Sequence, residues 1–320
     1  MKTILWLLKR EFWEHRGGFL WAPVIAGSLF VLFNLMGIGL LVATGTGPKV
    51  TVGMLSLQAT LGSMDPQALH AFGLGIDATM MLVAGMVTTA TAFVVFFYCL
   101  GTLYDDRRDR SVLFWKSLPV SDGATVLGKA LSALLVAPLI GLAAGVLTAL
   151  LTVVVVGVYL ALQGQNFFGL LLGAASPIRT VLVMLACLPV AAVWALPTVG
   201  WLMLCSAFAR SKPFLWAVGL PVGAGILVGW FDLLGSLSVP TAWFWEHVVA
   251  RLLLGTLPMP WLRGSFELMQ AVDTPEQMSA LTGLGSAYGS LASPEPWLGA
   301  VAGILMLLAA ARLRRWRDEG

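Results

Sequence analysis

Long apolar runs alternate with short polar segments along almost the whole chain. A helix across a hydrocarbon core takes about 20 residues, and six runs suggest such crossings: Gly17–Thr44, Ile76–Tyr104, Val126–Leu162, Ile178–Phe208, Phe214–Leu234 and Pro296–Ala311. The last is on the short side. The pattern predicts an all-α, polytopic membrane protein with six transmembrane helices in one domain spanning 1–320. Residues 1–16 read as an N-terminal amphipathic interfacial helix, with Ile4, Leu5, Leu8 and Phe12 on one face. Lys9, Arg10, Glu14 and Arg16 fall largely off that face, and Trp6 and Trp13 form an aromatic edge suited to headgroups. The run from Gly17 to Val42 is too long for a signal-peptide core and has no clear small-residue cleavage site, so it reads as a retained first span.

Segment 241–262 breaks the pattern. It is apolar and helical as far as Gly255, yet it carries Glu246, His247 and Arg251, and Pro258 and Pro260 follow. Charge near mid-span is costly. The segment therefore reads as a re-entrant or interfacial helix inside a long outer-side stretch, 235–294. A seventh crossing is the alternative, and it would move the C-terminal tail to the other side. Within the spans, Pro23, Pro138, Pro189, Pro197 and Pro221 predict kinks. The pairs Gly141/Gly145, Gly169/Gly173, Gly219/Gly223, Gly225/Gly229 and Gly299/Gly303 permit close helix approach.

Composition sharpens the class. The chain is 58% hydrophobic and 11% charged, against roughly 45–50% and about 25% in soluble domains. Fifteen of the nineteen Lys and Arg residues fall in four segments: the two chain ends, the 104–125 loop with Lys129 just beyond it, and Arg210/Lys212. Short Lys/Arg-rich loops stay on the cytoplasmic side, which predicts that both termini are cytoplasmic. The arginines flank spans and form no basic face, so no nucleic-acid partner is expected. Cys99, Cys187 and Cys205 lie inside spans, and none of the three histidines belongs to a two-His ligand motif, so no metal site is expected.

The 104–125 loop is the richest candidate. A mixed-charge stretch is followed by a short turn, Ser111–Leu118, which Pro119 ends. Val112 and Trp115, with Leu118 nearby, can share a face of it. An exposed aromatic of this kind suits docking, although composition alone favours a solvated loop in which Arg107 is simply a hydrated charge. The same region holds Gly123–Lys129, which matches the Gly-x4-Gly-Lys core of a phosphate-binding loop. Ala130 stands where Ser or Thr is needed and no strand precedes it, so no nucleotide site is expected. On the outer side, Asp77, Asp232, Glu246, His247 and Glu267 read either as solvated groups or as groups facing cargo.

Gly101-Thr102-Leu103, Leu118-Pro119-Val120-Ser121 and Lys129 resemble, in compressed order, a pattern found between spans 2 and 3 in the membrane subunits of ABC-2-type transporters. Cys99-Leu100 stands where that family often has Glu-Arg. The layout of the whole chain is similar too: amphipathic first helix, six spans, both ends inside, extra outer helices between spans 5 and 6. The resemblance implies a permease subunit of an ATP-driven exporter in a bacterial cytoplasmic (inner) membrane. It implies a homodimer or heterodimer with a second permease subunit, and a separate cytoplasmic ABC ATPase that holds ATP and Mg. No cofactor is expected on this chain, and it is not expected to be an enzyme by itself. Ser111, Val112, Leu113, Phe114, Trp115, Leu118 and Pro119 would form the ATPase-coupling turn. Spans 2 and 5 would line the pathway at the dimer interface, with Asp77, Phe93, Phe97 and Asp232 as candidates to face it. The alternatives are an intramembrane enzyme built on Glu246, His247 and Arg251, or an ion-driven secondary transporter. The scarcity of mid-span carboxylates argues against the latter.

The charge pattern makes a direct prediction. Single cysteines at 108, in the 210–212 turn and at 315 react only with reagents that reach the cytoplasm, and cysteines near 60 and 280 react from outside. Outside labelling at 315 would contradict six crossings and restore 241–262 as a span.

Overall fold

The computed structural model describes residues 2–44, 51–52, 55–56, 66–109, 121–163, 167–235, 240–265 and 274–316. The fold is all-α apart from a two-residue antiparallel pairing of β1 (Thr51–Val52) with β2 (Leu55–Ser56). Among the described residues, the first helix, α1 (Lys2–Glu14), is followed by six helices long and apolar enough to cross a membrane. They are built on α2 (Gly17–Thr44), α3 (Pro66–Arg108), α4 (Asp122–Leu162), α6 (Pro177–Phe208), α7 (Pro213–Leu233) and α11 (Pro294–Trp316). The chain is a multi-pass membrane protein. α5 (Phe167–Ala174) lies between α4 and α6. Between α7 and α11 come α8 (241–254), a 3-10 turn at Pro260–Ser265, α9 (Pro275–Thr282) and α10 (Leu284–Gly289). At fourteen residues, α8 is too short to span.

Two expectations need correction and a third gains detail. The second span starts at Pro66 rather than Ile76: Pro66 sets the first turn and Ala68, Leu69 and Phe72 continue the apolar register across polar neighbours. The 163–177 loop contains α5, whose FFGLLLGA sequence is too short to signal a crossing but apolar enough to dock. Phe167 is buried there and meets Phe72 edge-on with centroids 6.0 Å apart. In α1, the face turned to the protein is set by Leu7 and Glu11, not by Leu5. Leu5, Trp6 and Trp13 point outward, with Lys9 over Trp6 and Arg16 over Trp13.

The prolines are accommodated in two ways. Pro189, Pro197 and Pro221 sit inside their helices. Pro23 and Pro138 each follow a π turn at the same offset, after Gly17–Trp21 and Ser132–Val136. A proline ring clashes with the carbonyl four residues back. Widening the turn before it moves that carbonyl aside, and Ala22 and Ala137 instead bond back five residues, to Gly17 and Ser132.

Helix packing separates the glycines that matter from those that do not. A Cβ on Gly200 would lie 2.5 Å from the carbonyl oxygen of Gly303, and one on Gly303 would lie 2.5 Å from the Leu196 backbone. That α6–α11 crossing is therefore backbone against backbone. Gly141 and Gly145 likewise admit Thr91 and Ala84 of α3, whereas Gly219 and Gly223 of α7 face open space. Gly303→Leu is expected to lower stability by about 1–3 kcal/mol or more through overpacking. Gly219→Leu should stay within about 0.5 kcal/mol. Detergent unfolding curves check this, and equal effects would contradict the assigned crossing.

Candidate functional site

The described parts of all four basic segments gather at one end of the bundle, and several of their charges turn inward. Lys129, on the first turns of α4, is 1% exposed. Its Nζ donates to Thr102 Oγ1 at 2.8 Å and to the Thr102 carbonyl at 3.3 Å. Glu11 of α1 and Asp106 of α3 approach the same ammonium at 3.4 and 3.5 Å. Tyr98 donates its hydroxyl to Glu11 Oε2 at 2.9 Å. Asp106 accepts from Arg314 of α11 at 3.0 Å, and Arg314 Nε lies 3.2 Å from Asp122 at the start of α4. Glu11, Asp106, Lys129 and Arg314 are all buried. Two acids and two bases balance, which is the condition for keeping such charges out of water.

The helices carry these groups there for local reasons. Ser121 caps α4, its hydroxyl accepting from Ala124 N at 3.2 Å. Gly128 lets Leu7 of α1 pack against α4, bringing Glu11 beside Lys129. Arg107 is half-buried rather than simply hydrated. It donates to the carbonyls of Ser206 at 2.5 Å and Ala209 at 3.0 Å, closing the C-terminus of α6 with a cation. Ser206 Oγ in turn accepts from the backbone amides of Leu103 and Tyr104. The phosphate-loop look-alike Gly123–Lys129 is helical throughout, and its lysine is committed to this network. Glu11, Glu14 and His15 bring ligand atoms within 4.8 Å of one another. Glu11 already faces Lys129 and Tyr98, and Glu14 faces Arg10 at 3.4 Å.

The coupling candidates Ser111, Val112, Leu113, Phe114, Trp115, Leu118 and Pro119 lie outside the described residues. The pathway candidates are placed, and they do not converge. Asp77 Oδ1 accepts from Ser176 N at 3.3 Å, at the start of α6. Asp232 Oδ2 accepts from Thr241 Oγ1 at 2.6 Å and Thr241 N at 3.3 Å, at the start of α8. Each carboxylate caps a different helix. Phe93 and Phe97 face outward from α3, and Phe97 stacks on Phe214 of α7 with centroids 6.4 Å apart. That pair joins the second and fifth long helices at the surface.

Glu246, His247 and Arg251 do not form a cluster. Glu246 is exposed, and His247 stacks on Trp243. Arg251 turns the other way into the bundle: Nη1 reaches Glu295 Oε1 at 2.5 Å, Nη2 reaches the Glu295 carbonyl at 2.8 Å, and the guanidinium covers Trp194. Burial lowers the pKa of Arg251, against the opposing pull of Glu295. Thr198 Oγ1 donates to the Arg251 carbonyl and accepts from Gly255 N, so α8 is fastened to α6 and α11. Glu267 lies outside the described residues.

No family model, no curated protein and no solved structure matches this chain.

The buried network was not legible as such in the sequence, where Arg314 counts only toward the charge bias and Lys129 reads as part of a motif rather than as a buried charge. The signal lay in Glu11, an acid four and three residues from Leu7 and Leu8 on an apolar helix face, with no solvent-side reason to be there. Lys129→Met removes the cation that Glu11 and Asp106 share, leaving Glu11 with Arg10 and Tyr98 and Asp106 with Arg314, and is expected to lower stability by about 2–3 kcal/mol. Lys212→Met, on an exposed turn, should change it by less than about 0.5 kcal/mol. The check is unfolding in detergent; a neutral Lys129→Met would contradict the network.

Proposed function

We propose that this chain is the membrane permease subunit of an ATP-driven ABC-2-type exporter. The observation that carries the reading is the meeting of separate parts of the resembling pattern. Gly101-Thr102-Leu103 and Lys129 are joined through the Lys129–Thr102 hydrogen bond, and Ser121 caps the helix on which Lys129 stands. Asp106 precedes residues 110–120 in the sequence and Asp122 follows them, and Arg314 holds both acids. A push on that segment from a docked ATPase would reach α3 and α4 through buried charges rather than through a hinge. Coupling of this kind needs a contiguous path of rigid contacts, and the network supplies one to α1 and α11 as well.

The rest of the reading follows from that joint. The basic end is cytoplasmic, both termini lie there, and the membrane is the bacterial inner membrane. Arg251, Asp77 and Asp232 then belong to the outer end, where the short helices of 241–265 and 275–292 form a cap. ATP and Mg sit on the partner ATPase. A second permease subunit, more readily a copy of this chain than a different one, joins along α3 and α7. The outward stripe Leu82, Met86, Phe93 and Phe97 with the Phe97–Phe214 stack supports that face. Cargo passes between the two subunits, and its affinity differs between the two states of the cycle.

Trp115 is the largest aromatic of the coupling turn. Trp115→Ala is expected to weaken binding to the partner ABC ATPase by about 2 kcal/mol or more, roughly thirtyfold. Transport is lost while membrane insertion is kept. Co-purification of the ATPase with each variant reads this out, beside stimulation of its ATP hydrolysis. Full binding and full stimulation by Trp115→Ala would overturn the coupling assignment.

A further inference from the structure

Between α3, α4 and α6 lies a partly open cavity of about 130 Å³. It exists because facing positions are small: Ala84, Gly85 and Ala92 on α3 look toward Ala191, Ala192 and Ala195 on α6. Its α4 wall includes Ala133 and Leu134, inside the π turn Ser132–Val136, a distortion frequent at functional sites. The segment after α8 closes it, with Gly255, Leu257, Met259 and Trp261 among its lining. Met259 holds φ at +51°, in the left-handed region, a strained choice for a side chain of its kind.

The lining has no charged side chain. An ion entering here would lose its hydration with nothing to replace it. The polar groups are four threonines and Trp261. Thr88, Thr91 and Thr282 donate their hydroxyls to carbonyls of their own helices. Trp261 Nε1 is buried and has no hydrogen-bond partner among the described residues. A buried N–H left unpaired is costly, so an indole in this position asks for an acceptor. The space is comparable with the engineered apolar cavity of about 150 Å³ that takes up benzene.

We propose that this cavity is a binding site, within a single subunit, for an uncharged apolar molecule that presents one hydrogen-bond acceptor to Trp261. A lipid acyl chain with its ester carbonyl has this chemistry, and so does a free apolar ester. The site is separate from any pathway between subunits, and it stands whether or not the chain is a transporter. Occupancy holds the 255–261 segment down on α6, which is also where Thr198 fixes Gly255 and Arg251.

The full chain in phosphatidylcholine nanodiscs, with photolabelling, tests this. One arm uses phosphatidylcholine with a diazirine on its acyl chain, and the other a free aliphatic ester with the same diazirine. Crosslinked residues are mapped by mass spectrometry. Adducts at Met184, Leu188 or Met259 are expected in at least one arm, and the arm that labels identifies the source. Ala192→Phe and, independently, Ala191→Leu fill the space and should each cut those adducts by about tenfold or more, while labelling of the outward residues Leu82 and Phe93 persists and reports a folded protein. Trp261→Phe keeps an aromatic ring, a smaller one, and removes the donor, and should reduce cavity labelling several-fold. Adducts confined to outward residues in both arms, or cavity adducts indifferent to both filling variants, would overturn the site. Cavity labelling unchanged in Trp261→Phe would overturn the acceptor.

Discussion

A lysine ammonium buried against two carboxylates, one from the first helix and one from the second span, is the constraint around which the basic end is organised. Lys129 cannot stay out of water unless Glu11 and Asp106 are present, and Asp106 is in turn held by Arg314 from the last span. In a bilayer, apolar side chains gain little by leaving lipid for one another, so charges, hydrogen bonds and close backbone contacts must specify which helices meet. Here one balanced set of charges names four of them: α1, α3, α4 and α11.

The other end uses the same device with different partners. Arg251 enters from the short helix α8, meets Glu295 at the start of α11 and lies on Trp194 of α6. Gly299 leaves the space that the guanidinium fills. Between the two polar ends, small residues set the contacts, down to the Gly200–Gly303 crossing. Where small residues face each other without closing, they leave the cavity beside Trp261. The outer surfaces of α2, α3 and α7 remain apolar and exposed, the condition expected of helices bathed in lipid or covered by another subunit.

Six spans, the helical start and the non-spanning character of 241–254 were all legible in the sequence, because apolar length and charge bias act on whole segments. The individual charged residues were less so. Lys129 and Arg314 look like any other basic residue near a span end, and only the three-dimensional approach of Glu11 and Asp106 reveals that they are inside. Arg107 is similar: its role depends on where α6 ends, which no local pattern around 107 encodes. Asp77 and Asp232 read as pathway groups because an acid near a span end has few local explanations. Each caps a helix that starts elsewhere in the chain. α5 went unseen because eight apolar residues fall below any crossing threshold, and the early start of the second span was hidden by the polar residues mixed into its first turns. The Thr102–Lys129 hydrogen bond is a contact that spacing alone does not supply.

The most direct test is a double-mutant cycle between Asp106 and Arg314, residues 208 positions apart that meet at 3.0 Å. Asp106→Asn, Arg314→Gln and the double variant would be unfolded in the same detergent. The account predicts strong non-additivity, a coupling of about 1–3 kcal/mol, with the double variant recovering much of what either single change loses. Losses that add to within about 0.5 kcal/mol would mean that the two charges do not sense one another, and that the last span is not tied to the cytoplasm-facing end predicted for the second.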